Sequence, residues 1–433
     1  MHSFHYRKGE LYCEEVALAR VVEEFGTPLY VYSAGTILDH YRRLDAALGP
    51  LDRLICYAVK ANSNGAILKL LADAGAGFDI VSGGELFRVL KAGGAAAKCT
   101  FAGVGKSREE IEYALDEGVL SFNVESEAEL ERIDGIARAK KVRAPVAMRV
   151  NPDVDAGTHR YVSTGRNENK FGIALDRVAA VYARAARLPN ILIRGVQMHI
   201  GSQITDAAPF AEAIAKVTPL IVELKQKYAL QFFSVGGGIG IVYESSFASG
   251  SRDWWTEKDR LAATMTLPLT IRDYAAAIVP PLREIGLRVL LEPGRLLVGN
   301  AGVLLTRVRY LKQTSHKKFV IVDAGMNDLI RPALYQSYHE IVPVREPAET
   351  GRESVDVVGP VCESGDFFAE DRALPPMKEG DLVALMSAGA YGFAMASNYN
   401  SRALPAEVLV NGERVALIRR RQTMEDLVRE ESI

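Results

Sequence analysis

Eight short apolar runs, each followed by a stretch of helical character, constrain this chain more than any other feature. They are LICYAV (54–59), FDIV (78–81), CTFAG (99–103), LSFNV (120–124), VAMRV (146–150), IRGVQMHI (193–200), FFSVGG (232–237) and RVLLEP (288–293). Several carry β-branched residues, and most do not alternate with polar ones. A strand with one wet face alternates, whereas a parallel strand buried on both faces does not. Between the runs lie amphipathic segments such as SREEIEYALDEG (107–118) and ESEAELERIDGIARAK (125–140), which read as helices. Eight such units over about 240 residues are the count and size of a (β/α)8, TIM-like barrel.

The last gap between runs is the longest. Residues 244–266 (ESSFASGSRDWWTEKDRLAATMT) read as an inserted loop rather than a barrel element. After about residue 300 the texture changes. GVLLTRVRYLKQ, KFVIVDAG, SVDVVGPVC, LVALMSAG and AEVLVNGERVALIRR are strand-like with turn signals between them, which predicts an antiparallel β domain. The fold class is therefore α/β. We expect a barrel over 30–299 and a β domain formed by 300–433 together with the N-terminal segment 1–29.

Composition removes several function classes. Lys plus Arg number 52 against 54 Asp plus Glu, for a net charge of −2. That balance gives no electrostatic case for nucleic acid or an anionic membrane. A hydrophobic content of 48% supports a packed core rather than disorder. No long uncharged apolar run predicts a membrane span, and the polar start MHSFHYRKGELYCEE does not read as a signal peptide. Four scattered cysteines, Cys13, Cys56, Cys99 and Cys362, form no CxxC pair and suggest reduced thiols in a cytoplasm.

In a barrel of this type, function gathers at the C-terminal strand ends. There the sequence places Lys60, then Asp79 and Ser82, Arg149 and Asn151, His199 and Ser202, the cluster Gly236-Gly237-Gly238-Ile239-Gly240, and finally Glu292 and Arg295. A partly desolvated lysine at a strand end frees its amine as a nucleophile and suits a Schiff base; a surface lysine is the plain alternative. The glycine run after strand seven can bring backbone N–H groups to a phosphate or can simply be a tight loop. Glu292 can hold a pyridinium N–H or pair structurally with Arg295. His199 can stack on a flat ring or fill a structural place.

In the predicted β domain, Cys362 and Glu363 lie in the glycine-flanked GPVCESGD, where a thiol can donate a proton or act as a small apolar residue. Arg331 and Tyr335 of NDLIRPALY can grip a carboxylate. Tyr391, between glycines in GAYGFAMASNYN (389–400), marks either close approach to a ligand or a packed turn.

Taken together, ten motifs in order carry a family resemblance: FGTPLYVY (25–32), YAVKAN (57–62), FDIVSGGEL (78–86), NKFGI (169–173), HIGSQI (199–204), GGGIG (236–240), EPGR (292–295), DAGMNDLIRPALY (323–335), GPVCESGDFF (359–368) and GAYGFAMASNYN. The chain resembles the diaminopimelate decarboxylases, among the alanine racemase-like (fold type III) pyridoxal-phosphate enzymes. The resemblance implies decarboxylation of meso-2,6-diaminopimelate to L-lysine, the last step of bacterial-type lysine biosynthesis. It also implies pyridoxal 5′-phosphate as cofactor and a cytoplasmic homodimer with shared active sites.

By the same resemblance, Lys60 carries the cofactor and His199 stacks on its ring. Gly236, Gly237, Gly238 and the EPGR loop with Gly294 and Arg295 bind its phosphate, Glu292 pairs with its ring nitrogen, and Asp79, Ser202 and Tyr391 complete the set. Arg295, Arg331, Tyr335 and Tyr391 bind substrate, with Glu363 on its amine. Cys362 is the implied proton donor, reaching the site with Glu363 from the other subunit. An ornithine, lysine or carboxynorspermidine decarboxylase is the nearest alternative; Arg331 and CESGD weigh against the first two. A racemase would place arginine where Glu292 stands. A catalytically silent homologue would be free to lose Lys60 or Cys362, and both are present.

Overall fold

The computed structural model describes residues 1–155, 170–261, 269–347 and 351–432. Asn169 of the NKFGI motif and residues 262–266 of the long insertion therefore lie outside the described residues. The chain divides into two compact units. One comprises His40–Ile241 and Pro268–Leu296; the other comprises Met1–Asp39, Val242–Leu267 and Leu297–Ile433.

The first unit is a closed barrel of eight parallel strands: β1 (Arg53–Ala58), β2 (Gly77–Ile80), β3 (Cys99–Phe101), β4 (Ser121–Val124), β5 (Ala144–Asn151), β6 (Ile191–Met198), β7 (Phe232–Ser234) and β8 (Arg288–Leu291). They pair in sequence order, and β8 closes on β1 through Val289 opposite Arg53. Each of the eight expected runs supplies one strand. Leu54 and Cys56 of β1, Ala147 of β5, Phe232 of β7 and Leu290 of β8 form one buried cluster. Side chains from opposite strands can meet only inside a barrel, so this cluster is packed interior. Gly195 of β6 makes room for it: a Cβ there would lie 2.5 Å from the Phe232 ring.

Helix starts after the strands are set by local chemistry. The Ser82, Ser107 and Ser126 hydroxyls accept from the backbone N–H of Glu85, Glu110 and Glu129, each at 3.2 Å. Such caps satisfy N–H groups that the first helical turn leaves without partners. Ser107 and Glu110 complete a reciprocal capping box. These starts place the loops after β2, β3 and β4 at the carboxyl ends of the strands, where the candidate residues lie.

The second unit is built on a sheet ordered Phe367–Leu374, Glu353–Val358, Lys318–Val322, Gly302–Gln313, Leu29–Ser33, Ala406–Asn411, Arg414–Arg419. Leu382–Leu385 also pairs with Gly302–Gln313. The sheet is mainly antiparallel, as expected, but Lys318–Val322 with Glu353–Val358 and Leu29–Ser33 with Ala406–Asn411 pair parallel. The N-terminal strands Phe4–Arg7, Glu10–Cys13 and Val16–Ala17 form a small antiparallel sheet. Their Phe4, Leu11 and Val16 share one core with Leu29, Val31, Val303, Leu305 and Val408.

The insertion corrects the sequence reading. It is not simply a loop: a short turn of helix at Ala248–Gly250 leads into an α-helix at Arg252–Leu261. Ser251 Oγ accepts from the Trp254 N–H at 3.2 Å and starts that helix. Among the described residues no helix is long and apolar enough to cross a membrane.

Candidate active site

In the barrel unit, β1 ends in a tight helical turn, Val59–Ala61, that presents Lys60. Its Nζ donates to Asp79 Oδ2 of β2 at 2.8 Å. The lysine side chain is 41% exposed and the aspartate fully buried, so a charge partner rather than deep burial holds this amine. Glu292, just after β8, is buried and reached from three other strands. Its carboxylate accepts from Ser234 Oγ of β7 at 2.7 Å, Gln197 Nε2 of β6 at 2.9 Å and Asn123 Nδ2 of β4 at 3.4 Å. Burial first, and the negative charge of Asp79 second, raise its pKa to about 7; Ser234, Lys60 and Gln197 act the other way.

Behind Asn123, the buried Lys106 amine donates to the Asn123 carbonyl at 2.9 Å, the Gly103 carbonyl at 2.7 Å and Glu129 at 2.6 Å. This fastens the β3 loop to the β4 end.

His199 follows β6. Its Nδ1 accepts the Gly237 N–H at 3.2 Å, which leaves the ring proton on Nε2. Burial, then the cations Arg149 and Lys60, hold its pKa well below the usual 6.5. The imidazole is therefore a neutral flat ring. Arg149 is fixed by a buried ion pair with Glu125 at 2.8 Å, and its guanidinium lies 4.7 Å from the Phe171 ring centre. Asn151 Nδ2 donates to the Phe171 carbonyl at 3.4 Å.

The glycine loop after β7 is pressed against neighbouring backbone. A Cβ on Gly237 would overlap the Glu292 carbonyl oxygen, and one on Gly238 would overlap that of Gly201. Gly238 also has φ +103°, which disfavours any side chain. Gly236 leaves as little room against the Met198 carbonyl. The EPGR loop packs Gly294 onto Ala58 and Ala61, which flank Lys60, and Arg295 Nη2 donates to Ser202 Oγ at 3.0 Å.

These residues fit pyridoxal phosphate. Asp79 Oδ1, Asn123 Oδ1 and Gln197 Oε1 are buried acceptors without a hydrogen-bond partner, and the carboxyls of Asp79 and Glu292 lie among them. A protonated ring nitrogen would find its counter-charge at Glu292, a flat ring its neighbour at His199, and a phosphate its backbone donors in the glycine loop.

In the second unit, Arg331 opens the short helix Arg331–Tyr335 and is 4% exposed. Its Nη1 donates to Tyr243 Oη at 2.8 Å and to His339 Nε2 at 3.0 Å, and its Nη2 to Ser337 Oγ at 3.2 Å. Tyr335 closes the same helix, half-buried. Tyr391 has φ +57° between two tightly packed glycines: a Cβ on Gly389 would collide with the Val298 carbonyl, and one on Gly392 with that of Ala388.

Cys362 and Glu363 are exposed. Their turn is held by Asp366, whose carboxylate accepts the Met326 and Val361 N–H groups, each at 2.6 Å. The Cys362 N–H donates to Asn400 Oδ1 at 2.9 Å, and the Tyr399 hydroxyl to Glu363 Oε2 at 2.7 Å. The structure thus groups Lys60, Asp79, His199, Ser202, Gly236, Gly237, Gly238, Glu292, Gly294 and Arg295 in one unit, and Arg331, Tyr335, Cys362, Glu363 and Tyr391 in the other.

Residues 34–299 match the model of the pyridoxal-dependent decarboxylase family, pyridoxal binding domain. Over its whole length the chain is 52% identical to diaminopimelate decarboxylase of Pseudomonas aeruginosa, covering 99% of that protein. The chain belongs to the diaminopimelate decarboxylase family. Two solved structures agree. The Helicobacter pylori diaminopimelate decarboxylase complexed with L-lysine is 40% identical with TM-score 0.87, over 96% of this chain and 99% of that one. The M. jannaschii diaminopimelate decarboxylase in co-complex with L-lysine is 36% identical with TM-score 0.90, over 100% of this chain and 98% of that one. As a pyridoxal-dependent decarboxylase the chain is a carboxy-lyase, and its cofactor is pyridoxal 5′-phosphate.

In this member of the diaminopimelate decarboxylase family, three polar contributors escape a reading of strand ends. Asn123, Gln197 and Ser234 lie inside the mainly apolar strand runs and are buried. That position is their one signal in the sequence, because a polar side chain inside a strand buried on both faces must find a partner. Tyr243 and His339, which bond to Arg331, carry no comparable local mark.

Proposed function

We propose that this enzyme decarboxylates meso-2,6-diaminopimelate to L-lysine and CO2, the last step of bacterial-type lysine biosynthesis. The observation that carries the substrate is Arg331, a buried guanidinium held by Tyr243, His339 and Ser337 in a chain of this family. A fixed, buried guanidinium favours a substrate with a second carboxylate. An ornithine or lysine decarboxylase has no such carboxylate to place there.

Bound pyridoxal phosphate supplies the electron sink for the carbanion left as CO2 departs. Lys60 would hold the cofactor through its amine, with Asp79 beside it. Glu292 keeps the ring nitrogen protonated, and Ser234, Gln197 and Asn123 orient Glu292. His199 offers its neutral face to the ring. Gly236, Gly237, Gly238 and Gly294 hold the phosphate, with Ser202, Arg295 and Tyr391 completing the cofactor contacts. Arg295, Arg331, Tyr335 and Tyr391 bind the substrate away from the reacting carbon, and Glu363 takes its amine. Cys362 returns a proton to the carbon that lost CO2.

Cys362 and Glu363 act, in this reading, in the site of a second copy, so the active form is a homodimer. Their exposure in a single chain supports it. The four cysteines are free, and three of them are buried, in keeping with a cytoplasmic enzyme.

The test offers meso-diaminopimelate, L-ornithine and L-lysine in parallel to protein loaded with pyridoxal phosphate, following CO2 and product amine. Turnover of diaminopimelate alone, lost in Lys60→Ala, is expected. Turnover of ornithine or lysine with diaminopimelate inert would refute the assignment.

A further inference from the structure

Arg331 is held from two sides. Because a guanidinium only donates, His339 Nε2 must accept from Arg331 Nη1, and the remaining ring proton lies on Nδ1. That Nδ1 faces the Met386 carbonyl at 2.8 Å, a bond that fixes the tautomer. From the other side, Tyr243 accepts from the same Nη1. Its ring centre lies 4.8 Å from the guanidinium carbon and 5.3 Å from the His339 ring, at 79°. Both Nη1 protons are thus directed, and the plane of the guanidinium is set.

Tyr243 is held in turn by the segment that follows it. Glu340 Oε2 accepts from Ser246 Oγ at 3.1 Å and from the Phe247 N–H at 2.7 Å. The His2 ring bonds to the Ser246 carbonyl at 2.8 Å, and the Phe247 ring packs 5.1 Å from Tyr6. Glu340 is the neighbour of His339, so one step of chain fixes both supports of Arg331: His339 directly, and Tyr243 through the anchored insertion.

We propose that Tyr243, immediately before the insertion that anchors it, is a positioning residue that sets Arg331 for the substrate carboxylate remote from the reacting carbon. The proposal rests on the reading of Arg331 given above. It assigns the start of the insertion a role in substrate selectivity. A bidentate carboxylate contact needs the guanidinium plane in one orientation, and the Tyr243–His339 pair provides it.

The experiment compares two inhibitors that differ only in that carboxylate. L-Lysine keeps it, and 1,5-diaminopentane lacks it. Wild type, Tyr243→Phe and Tyr243→Ala are loaded with pyridoxal phosphate, and the cofactor absorbance checks the site. Loss of one hydrogen bond to a charged group corresponds to a factor of about ten in binding. Tyr243→Phe is therefore expected to raise the KM for diaminopimelate and the inhibition constant of L-lysine about tenfold, with kcat changed far less, and Tyr243→Ala to raise both further. The 1,5-diaminopentane constant should hold in both variants.

His339→Gln, which keeps an acceptor in place of Nε2, should retain more lysine affinity than His339→Leu. Unchanged lysine inhibition in both Tyr243 variants, or equal weakening of the two inhibitors, would overturn the proposal. Arg331→Met separates the underlying reading: if L-lysine inhibits that variant normally, Arg331 does not hold the carboxylate, whatever Tyr243 does.

Discussion

The Lys60 amine stands 2.8 Å from the fully buried carboxylate of Asp79, each contributed by the end of an adjacent barrel strand. Removing the cation leaves a buried charge without its counter-ion. Because the lysine side chain is 41% exposed, solvent screening limits the cost to about 1 kcal/mol. Lys60→Ala should therefore lower the melting temperature of cofactor-free protein modestly, and adding Asp79→Asn should restore part of it. Borohydride reduction with pyridoxal phosphate should label the Lys60 peptide in wild type and not in Lys60→Ala. Label on another lysine would sink the assignment.

Glu292 gives a pH signature. Burial raises its pKa from 4.5 to about 7, so the folded protein binds this proton more tightly than the unfolded chain. The resulting stability is complete below pH 4.5 and is lost as pH rises through 7, by about 1.4 kcal/mol for each pH step of one between those two values. Glu85, raised by burial to about 7, acts in the same direction. His199 acts in the opposite one: its depressed pKa supplies stability that is present above 6.5 and lost as pH falls. Comparison with Glu292→Gln isolates one group. The unfolding free energy of cofactor-free protein, from urea titrations between pH 5 and 7.5, should fall less steeply in the variant, by on the order of 3 kcal/mol across the window. Parallel curves would contradict this.

Gly237 and Gly84 predict opposite responses to alanine. At Gly237 the new Cβ would overlap a backbone carbonyl oxygen, whereas at Gly84 the nearest atom is Ser82 Oγ at 3.8 Å. Gly237→Ala should cost about 3 kcal/mol or more by overpacking and should weaken retention of pyridoxal phosphate. Gly84 lies in the helix Gly83–Lys91, where alanine should be neutral or stabilising by up to about 1 kcal/mol. Melting curves and cofactor titrations decide, and equal behaviour of the two variants would show that the loop yields.

Of the four free cysteines, Cys13, Cys56 and Cys99 are buried and Cys362 is exposed. Burial pushes the Cys13 and Cys56 thiols well up, and that of Cys99 to about 12. One thiol per native chain should therefore react quickly with a disulfide reagent, and none in Cys362→Ser. If Cys362 serves a neighbouring copy, its labelling should slow as protein concentration rises. Concentration-independent labelling, with full activity in Cys362→Ala, would remove it from the mechanism.

The eight barrel strands are legible in the sequence because parallel strands buried on both faces leave unbroken apolar runs. The helices after β2, β3 and β4 are legible through their serine caps. The helix Arg252–Leu261 is not, because RDWWTEKDRL has no sustained apolar face and follows the glycine- and serine-rich ASGS. The parallel pairing of Leu29–Ser33 with Ala406–Asn411 is equally hidden: partners nearly four hundred residues apart are chosen by tertiary packing.

Local pattern and residue chemistry by themselves determined the eight barrel strands, the tight glycine loop and the candidate side chains at the strand ends. Those follow from forces between near neighbours in sequence: burial period, capping and backbone sterics. Only the tertiary structure decided which polar groups share Glu292, why its proton is held so firmly, and that Tyr243 and His339 meet on Arg331. Those are contacts across 58 residues from Ser234 to Glu292 and 88 from Tyr243 to Arg331. Their energies depend on distance and burial, which no local stretch of sequence carries.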